Sequence, residues 1–192
     1  IAMTAPQPKS LPPFKPLPML PPKLFSQRRP DGSYIIRSLY DIGQMHRSIA
    51  HLLEERAALH PERNLLAQRT PQGPWRFITY GEANQRANAI AQALLDRKLG
   101  PDTPLLIISG NSIEHAVMML GALKARVPVA PVSVAYSLFS QDHGKLRHVV
   151  TLTKPKMIFA DNGPVYARAL KALDLGGIDV VMANAGIDPA GM

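Results

Sequence analysis

Cysteine is absent from the 192 residues, which excludes disulfides, thiolate nucleophiles and cysteine-ligated metals. Aromatic residues make up only 6% of the chain, with a single tryptophan, and the 14 acidic residues are outnumbered by 22 basic ones. No apolar run approaches the roughly 20 residues that a membrane-crossing helix needs. The N-terminus has no charged-then-apolar secretory order. The expectation is therefore a cytoplasmic protein with no membrane partner. The six histidines show no ligand spacing: His143 and His148 are five apart and fall on different faces of a helix. No metal site is expected. A Gly-x-Ser-x-Gly elbow, the signature of many serine hydrolases, is missing as well.

What is present fits one globular core, with hydrophobic residues at 46%. The net charge of +8 is unevenly spread. Lys9, Lys15, Lys23, Arg28 and Arg29 precede the first acid, Asp31, leaving 17 bases against 14 acids in the remainder. A nucleic-acid footprint would interleave bases and aromatics on a folded face. Here the excess sits in residues 1–30, which hold nine of the nineteen prolines, so no nucleic-acid partner is expected. This basic arm is expected to be extended and to build neither helix nor sheet ladder. Pro18, Pro21 and Lys23 happen to match an SH3-ligand pattern, but an arm that lies along its own domain or stays mobile is the favoured reading. The rest, 31–192, reads as one α/β subdomain.

Asp31-Gly32 marks a tight turn. His46 to His60 reads as a helix with Ile49, Leu52, Leu53 and Ala57 inward. Asn64 to Gln68 and Trp75 to Ile78 read as an antiparallel pair joined at Pro71-Gln72-Gly73-Pro74. Thr79 and Glu82 form a capping box, after which Ala83, Ala87, Ile90, Ala91, Leu94 and Leu95 share one helical face. Gly100-Pro101 is expected to end that helix through a left-handed glycine. Leu105 to Ile108 is apolar throughout, as a doubly covered strand must be. Asn111 with Glu114 repeats the cap pattern before a stripe of Ala116, Val117, Leu120 and Leu123. Strands at Val127 to Val132, Met157 to Ala160 and Ile178 to Ala183 alternate with helices at Gln141 to Leu152 and Val165 to Leu173. The alternation predicts an α/β fold: a mostly parallel sheet with flanking helices, plus a small antiparallel pair and the extended arm.

Three segments carry a family resemblance: Ile78-Thr79-Tyr80-Gly81-Glu82-Ala83-Asn84, Ser109-Gly110-Asn111-Ser112-Ile113-Glu114, and Gly121 to Ala125 continuing through Val127 to Ser133. They resemble the N-terminal part of the AMP-forming acyl- and aryl-CoA synthetases, within the adenylate-forming superfamily. Arg28 to Ser38, Pro131 to Ser137, Ser140 to Asp142 and Lys145 to His148 are most similar to feruloyl-CoA synthetases. The likeness spans about Arg28 to Met192.

The resemblance implies an ATP-dependent ligase acting on a feruloyl- or hydroxycinnamoyl-type aromatic acid. The carboxylate would attack the α-phosphate of ATP, and coenzyme A would then displace AMP to form a thioester. An anion must approach a polyanion, so such a site needs Mg²⁺, a loop of amides and a lysine. The family's TSGTTGxPKG-like loop and YGxTE-like motif do not occur in these residues. The chain is therefore expected to be an inactive N-terminal fragment, cut before the phosphate loop, without catalytic, cofactor or metal residues of its own. ATP, Mg²⁺ and coenzyme A would belong to the full-length enzyme. An exposed subdomain interface implies self-association.

Ser133, Tyr136 and Ser137 follow a strand's carboxyl end, where open α/β sheets place ligands, and are the substrate-channel candidates. Local hydroxyl-to-backbone bonds are the competing reading. Ser109 and Asn111 are read as helix-capping residues. Three positions depart from the family pattern: Arg126 and Lys98 where glycine is usual, and Val134 where proline is. Besides an adenylating enzyme with another acceptor, two rival functions remain. One is a free-standing noncatalytic α/β module. The other is a short-chain dehydrogenase, suggested by the likeness of Gly177 to Ile187 to that family's NNAG strand, although neither TGxxxGxG nor YxxxK occurs.

Overall fold

A computed structural model of the chain describes residues 19–43, 45–70 and 73–183. It divides into two compact units, Ile1–Met45 and His46–Met192.

In the first unit, Leu24–Arg28 (β1) pairs antiparallel with Tyr34–Ser38 (β2). The expectation that residues 1–30 build no ladder is corrected here. Leu24–Arg28 lies between Pro22 and Pro30, so its amides are free to pair. Pro30 and Asp31 make the expected turn, closed by the Gly32 amide donating to the Arg29 carbonyl at 3.0 Å, and Gly32 supplies the left-handed backbone with φ +86°. The Asp31 carboxylate accepts from the Ser33 hydroxyl (2.7 Å) and amide (2.9 Å). Residues 1–18, including Pro18 of the SH3-ligand pattern, lie outside the described residues.

The second unit opens with Ile49–Leu59 (α1), capped by Ser48, whose hydroxyl accepts the His51 amide at 3.1 Å. Leu53 and Ala57 are buried, as their spacing predicts, but Ile49 is 63% exposed. It sits in the first turn, where it borders an open hollow with Leu52, Leu65 and Tyr80 instead of packed neighbours. Asn64–Arg69 (β3) and Trp75–Thr79 (β4) form the antiparallel pair. Pro71 and Gln72 of its turn lie outside the described residues. Tyr80–Asp96 (α2) begins with both halves of the Thr79–Glu82 capping box in place.

The sheet is Leu105–Ile107 (β5), Val129–Pro131 (β6), Met157–Ala160 (β7) and Asp179–Met182 (β8), in spatial order β6-β5-β7-β8 and parallel throughout. Ile113–Lys124 (α3), the single turn Val134–Ser137 (α4), Gly144–Thr153 (α5) and Gly163–Lys171 (α6) connect the strands. Alternation sends Leu105, Ile107, Met157 and Phe159 to one face with α2 and α3, and Leu106, Ile108, Ile158 and Ala160 to the other with α5 and α6. Both faces are covered, which is why the strands read as unbroken apolar runs.

α3 is buried on two sides. Met118 and Ala122 meet the sheet layer, while Ile113, Val117 and Leu120 pack with α1, α2 and β4. Leu123, expected inward, is 37% exposed, because the buried surface follows Met118 and Ala122 instead. The cap of α3 is Ser112 and not Asn111: its hydroxyl accepts from the His115 amide at 3.1 Å. With Ser112 as cap the N3 residue is His115, so no capping box closes, and Glu114 pairs instead with Arg76 at 2.6 Å.

Two helix ends also differ from expectation. α2 stops at Asp96, and its left-handed residue is Lys98 (φ +60°), not Gly100. The Lys98 amide bonds the Leu95 carbonyl (2.8 Å) and the Leu99 amide the Leu94 carbonyl (3.0 Å), the paired pattern of a Schellman end. α3 ends identically: Arg126 has φ +60°, its amide meets Leu123 (3.2 Å), and the Val127 amide meets Ala122 (2.8 Å). Leu99 and Val127, each just past the turn, are buried in the same core. The departures at 98 and 126, a base where the family pattern has glycine, therefore fall where the backbone is left-handed. Val134 stands at the first position of α4, where proline fits because that amide has no helical partner.

Candidate functional site

A parallel sheet presents its loops and helix N-termini at the carboxyl ends of the strands. Ligands bind where successive connections diverge. β5 connects through α3 to β6 on one side, and the next crossover returns the chain to β7 on the other. The divergence point therefore lies between β5 and β7, framed by Ser109–Ser112 and Asp161–Asn162.

That crevice is filled by Tyr166 of α6, whose side chain is buried at 3% exposure. Its hydroxyl lies against the Gly110 backbone. Burial pushes the phenol's pKa upward and the nearby Asp161 carboxylate adds to this, while the Gly110 amide opposes it. The Gly110 carbonyl is held from the other side by the Ser109 hydroxyl (2.9 Å) and His115 Nδ1 (3.0 Å). A carbonyl only accepts, so His115 carries its proton on Nδ1 in this contact. Ser109 thus pins a peptide and does not cap a helix. The sequence signal for Tyr166 was only its place on the α6 stripe with Ala169 and Leu170.

The three sequence candidates all lie on or beside α4. Ser133 caps that turn, accepting from the Ala135 amide at 3.3 Å. Ser137 is buried and donates to the Val134 carbonyl at 3.3 Å. Tyr136 packs at the edge of the α5–α6 layer, with the Lys145 ammonium 5.4 Å from its ring centre. Both hydroxyls are engaged with local backbone, the competing arrangement anticipated above. His143 lies behind the turn. It is 3% exposed, left-handed (φ 52°), and its Nδ1 is 3.4 Å from the Tyr136 carbonyl.

A second polar constellation ties the hairpin to the helices. Arg76 of β4 donates to Glu114 (2.6 Å) and to Gln68 Oε1 (2.8 Å), which also accepts the first amide of α3 from Ile113 (2.9 Å). Arg86 of α2 adds its charge 3.8 Å from Glu114. Burial works against the Glu114 carboxylate, but the Arg76 hydrogen bond, its own amide and the two guanidinium charges outweigh it. Its pKa is held below the usual glutamate value.

Among the described residues, no three His, Asp or Glu side chains gather as a metal would require. Nor does the sequence hold a Gly/Ser/Thr-rich phosphate loop with its lysine. The residues present do not fit the triphosphate of ATP or its metal, and no chemical step is assigned to them. No helix among the described residues is long and apolar enough to cross a membrane.

A parallel sheet in the order β6-β5-β7-β8, helices on both faces and an antiparallel pair beside it make up the N-terminal subdomain architecture of adenylate-forming ligases. Residues 53–189 match the AMP-binding enzyme family, and the chain belongs to it. A fatty acyl-adenylate ligase from L. pneumophila, solved with acyl adenylate and pyrophosphate, superposes with a TM-score of 0.60 at 20% identity, over 72% of this chain and 24% of that one. The Klebsiella oxytoca NpsA N-terminal subdomain in complex with 3-hydroxybenzoyl-AMSN superposes at 0.53 and 19% identity, over 71% of this chain and 30% of that one. Tyrocidine synthase 1 of Brevibacillus parabrevis is 31% identical over 90 residues, 47% of this chain and 8% of the synthase. Bacitracin synthase 2 of Bacillus licheniformis is 30% identical over 94 residues, 49% of this chain and 3% of the synthase. The chain thus spans a small part of these curated relatives. They are peptide synthetases, so the feruloyl-CoA likeness rests on the sequence segments alone.

Proposed function

We propose that the chain is the N-terminal part of an AMP-forming acid–CoA ligase acting on an aromatic, feruloyl- or hydroxycinnamoyl-type carboxylic acid. Membership of the AMP-binding enzyme family supports carboxylate activation. The observation that carries the finer reading is the stretch Pro131 to His148. The segments resembling feruloyl-CoA synthetases, Ser133–Ser137, Ser140–Asp142 and Lys145–His148, follow one another from the carboxyl end of β6 through α4 into α5.

In this reading the chain's residues are scaffold. Coenzyme A, ATP and Mg²⁺ act in the whole enzyme, and the α4 turn borders the channel for the aromatic acid or the thiol acceptor through Ser133, Tyr136 and Ser137. The enzyme works in the cytoplasm. Exposed Leu95, Leu123, Leu138 and Phe139 support self-association of the 192-residue chain, and light scattering showing monomer at high concentration would count against it.

The test is substrate profiling of the full-length protein containing these residues. Pyrophosphate exchange is measured with hydroxycinnamic acids, fatty acids and amino acids, followed by detection of CoA thioester. Exchange with hydroxycinnamates and release of their thioesters is expected. Exchange driven by amino acids, with no CoA thioester, would replace the proposal with the peptide-synthetase reading that the curated relatives favour.

A further inference from the structure

We propose that the groove between the start of α5 and the second half of α6 binds a small ligand bearing a phosphate dianion. The groove has a volume of about 530 Å³, and its walls carry Gln141, Asp142, His143, Arg147, Arg168 and Lys171. That volume lies within the range of small-molecule pockets and exceeds what a lone ion needs. Three permanent cations from two helices face it. Among the described residues, none of the three is in an ion pair.

The one acid on the wall, Asp142, keeps its negative charge near Arg147, so three cations stand against one carboxylate. Asp142 Oδ1 accepts the Gly144 amide (3.2 Å) and the Ser140 hydroxyl (3.1 Å). Arg168 is oriented and not mobile by default: its Nη2 donates to Gln141 Oε1 at 2.8 Å and to the Gln141 carbonyl at 3.2 Å, fixing the guanidinium beside the start of α5. A guanidinium held in place by neutral acceptors keeps its full charge and further N–H donors for an incoming anion. Buried His143 completes the wall, and its Nε2 has no hydrogen-bond partner among the described residues. Three cations facing a single carboxylate still repel one another and leave the wall net positive. A dianion relieves that repulsion and accepts from several donors at once.

Two sources supply this chemistry in a ligase of the proposed kind: a nucleotide carrying a terminal phosphate monoester, and free phosphate or pyrophosphate. Naming CoA as the nucleotide's carrier rests on the reading above, whereas anion binding by the groove does not. The 192-residue chain is titrated with adenosine 3′,5′-bisphosphate, ATP and inorganic phosphate, by calorimetry and by backbone amide shifts. Saturable binding of the bisphosphate is expected, tighter than inorganic phosphate and weakening with salt. Shifts should centre on residues 141–147 and 167–172. Arg168→Ala and Arg147→Ala should each weaken binding about tenfold or more. Tighter ATP than bisphosphate binding, with shifts at the same residues, would keep the groove and reassign its ligand. Absence of saturable binding by all three anions, or unchanged affinity in a folded Arg147→Glu/Arg168→Glu double variant, overturns the proposal. A full-length enzyme that makes no CoA thioester would sink the reading above and leave the groove intact.

Discussion

Gly121 of α3 lies so close to Ile90 of α2 that a Cβ on the glycine would come within 2.5 Å of Ile90 Cγ2 and 3.0 Å of the Ala87 carbonyl. The contact fixes how near the two helices approach, and through them how the outer layer sits on the sheet. Gly121→Ala inserts a methyl into a packed seam, at a cost of about 1–3 kcal/mol. Better helix propensity offsets up to about 1 kcal/mol of this. The expected result is a net loss of about 1–2 kcal/mol in denaturant unfolding, with recovery in the double variant Gly121→Ala/Ile90→Ala relative to Ile90→Ala alone.

Lys98 and Arg126 each hold a left-handed backbone at an exposed helix end. The conformation costs a side-chain-bearing residue about 1–2 kcal/mol, while glycine gives back about 0.4–1 kcal/mol through its freer unfolded chain. Lys98→Gly and Arg126→Gly are each expected to raise the unfolding midpoint by an amount worth about 0.5–1 kcal/mol, with unchanged denaturant slope. Arg126→Ala should be nearly neutral. A midpoint that falls on glycine substitution would show that the basic side chain contributes more than the strain costs.

The Glu114 carboxylate is expected to make stability acid-sensitive. Its folded pKa is depressed, so its contribution is complete above the unfolded glutamate value of about 4.3 and is lost as pH falls through the lower folded value. Glu114→Gln leaves Arg76 and Arg86 without their carboxylate. The variant should be about 1 kcal/mol less stable at neutral pH, and the gap should close below about pH 4. A gap independent of pH would mean that shape, not charge, is lost.

The isolated 192-residue chain should show no ATP–pyrophosphate exchange above background with any carboxylic acid, because its sequence contains no phosphate loop. Exchange by this chain alone would place the triphosphate site among residues described here as scaffold.

Local signals were legible wherever one residue acts on its own neighbours. The Thr79–Glu82 box, the Asp31-Gly32 turn, the apolar strands and the alternation of strand with helix are short-range consequences of side-chain chemistry, and each stands where the sequence places it. The errors came where two local solutions compete. Asn111 and Ser112 are both cap formers; the cap is Ser112, and Glu114 pairs with Arg76 from another element. Gly100 and Lys98 could each have ended α2, and burial of Leu99 two residues after Arg97 put the left-handed residue at Lys98.

By itself, then, the sequence determined the fold class, the family and the order of the elements from α1 onward apart from the α4 turn, but not the first hairpin. Hydrophobic periodicity and capping need only neighbouring residues to be read. The tertiary structure alone decided that Tyr166 fills the divergence between β5 and β7, that Gln68, Arg76, Glu114 and Arg86 lock hairpin to helices, and that Arg147, Arg168 and Lys171 share a groove. Each of these depends on side chains from different elements meeting in space, and their attractions vary with distance and burial, neither of which is written in spacing along the chain.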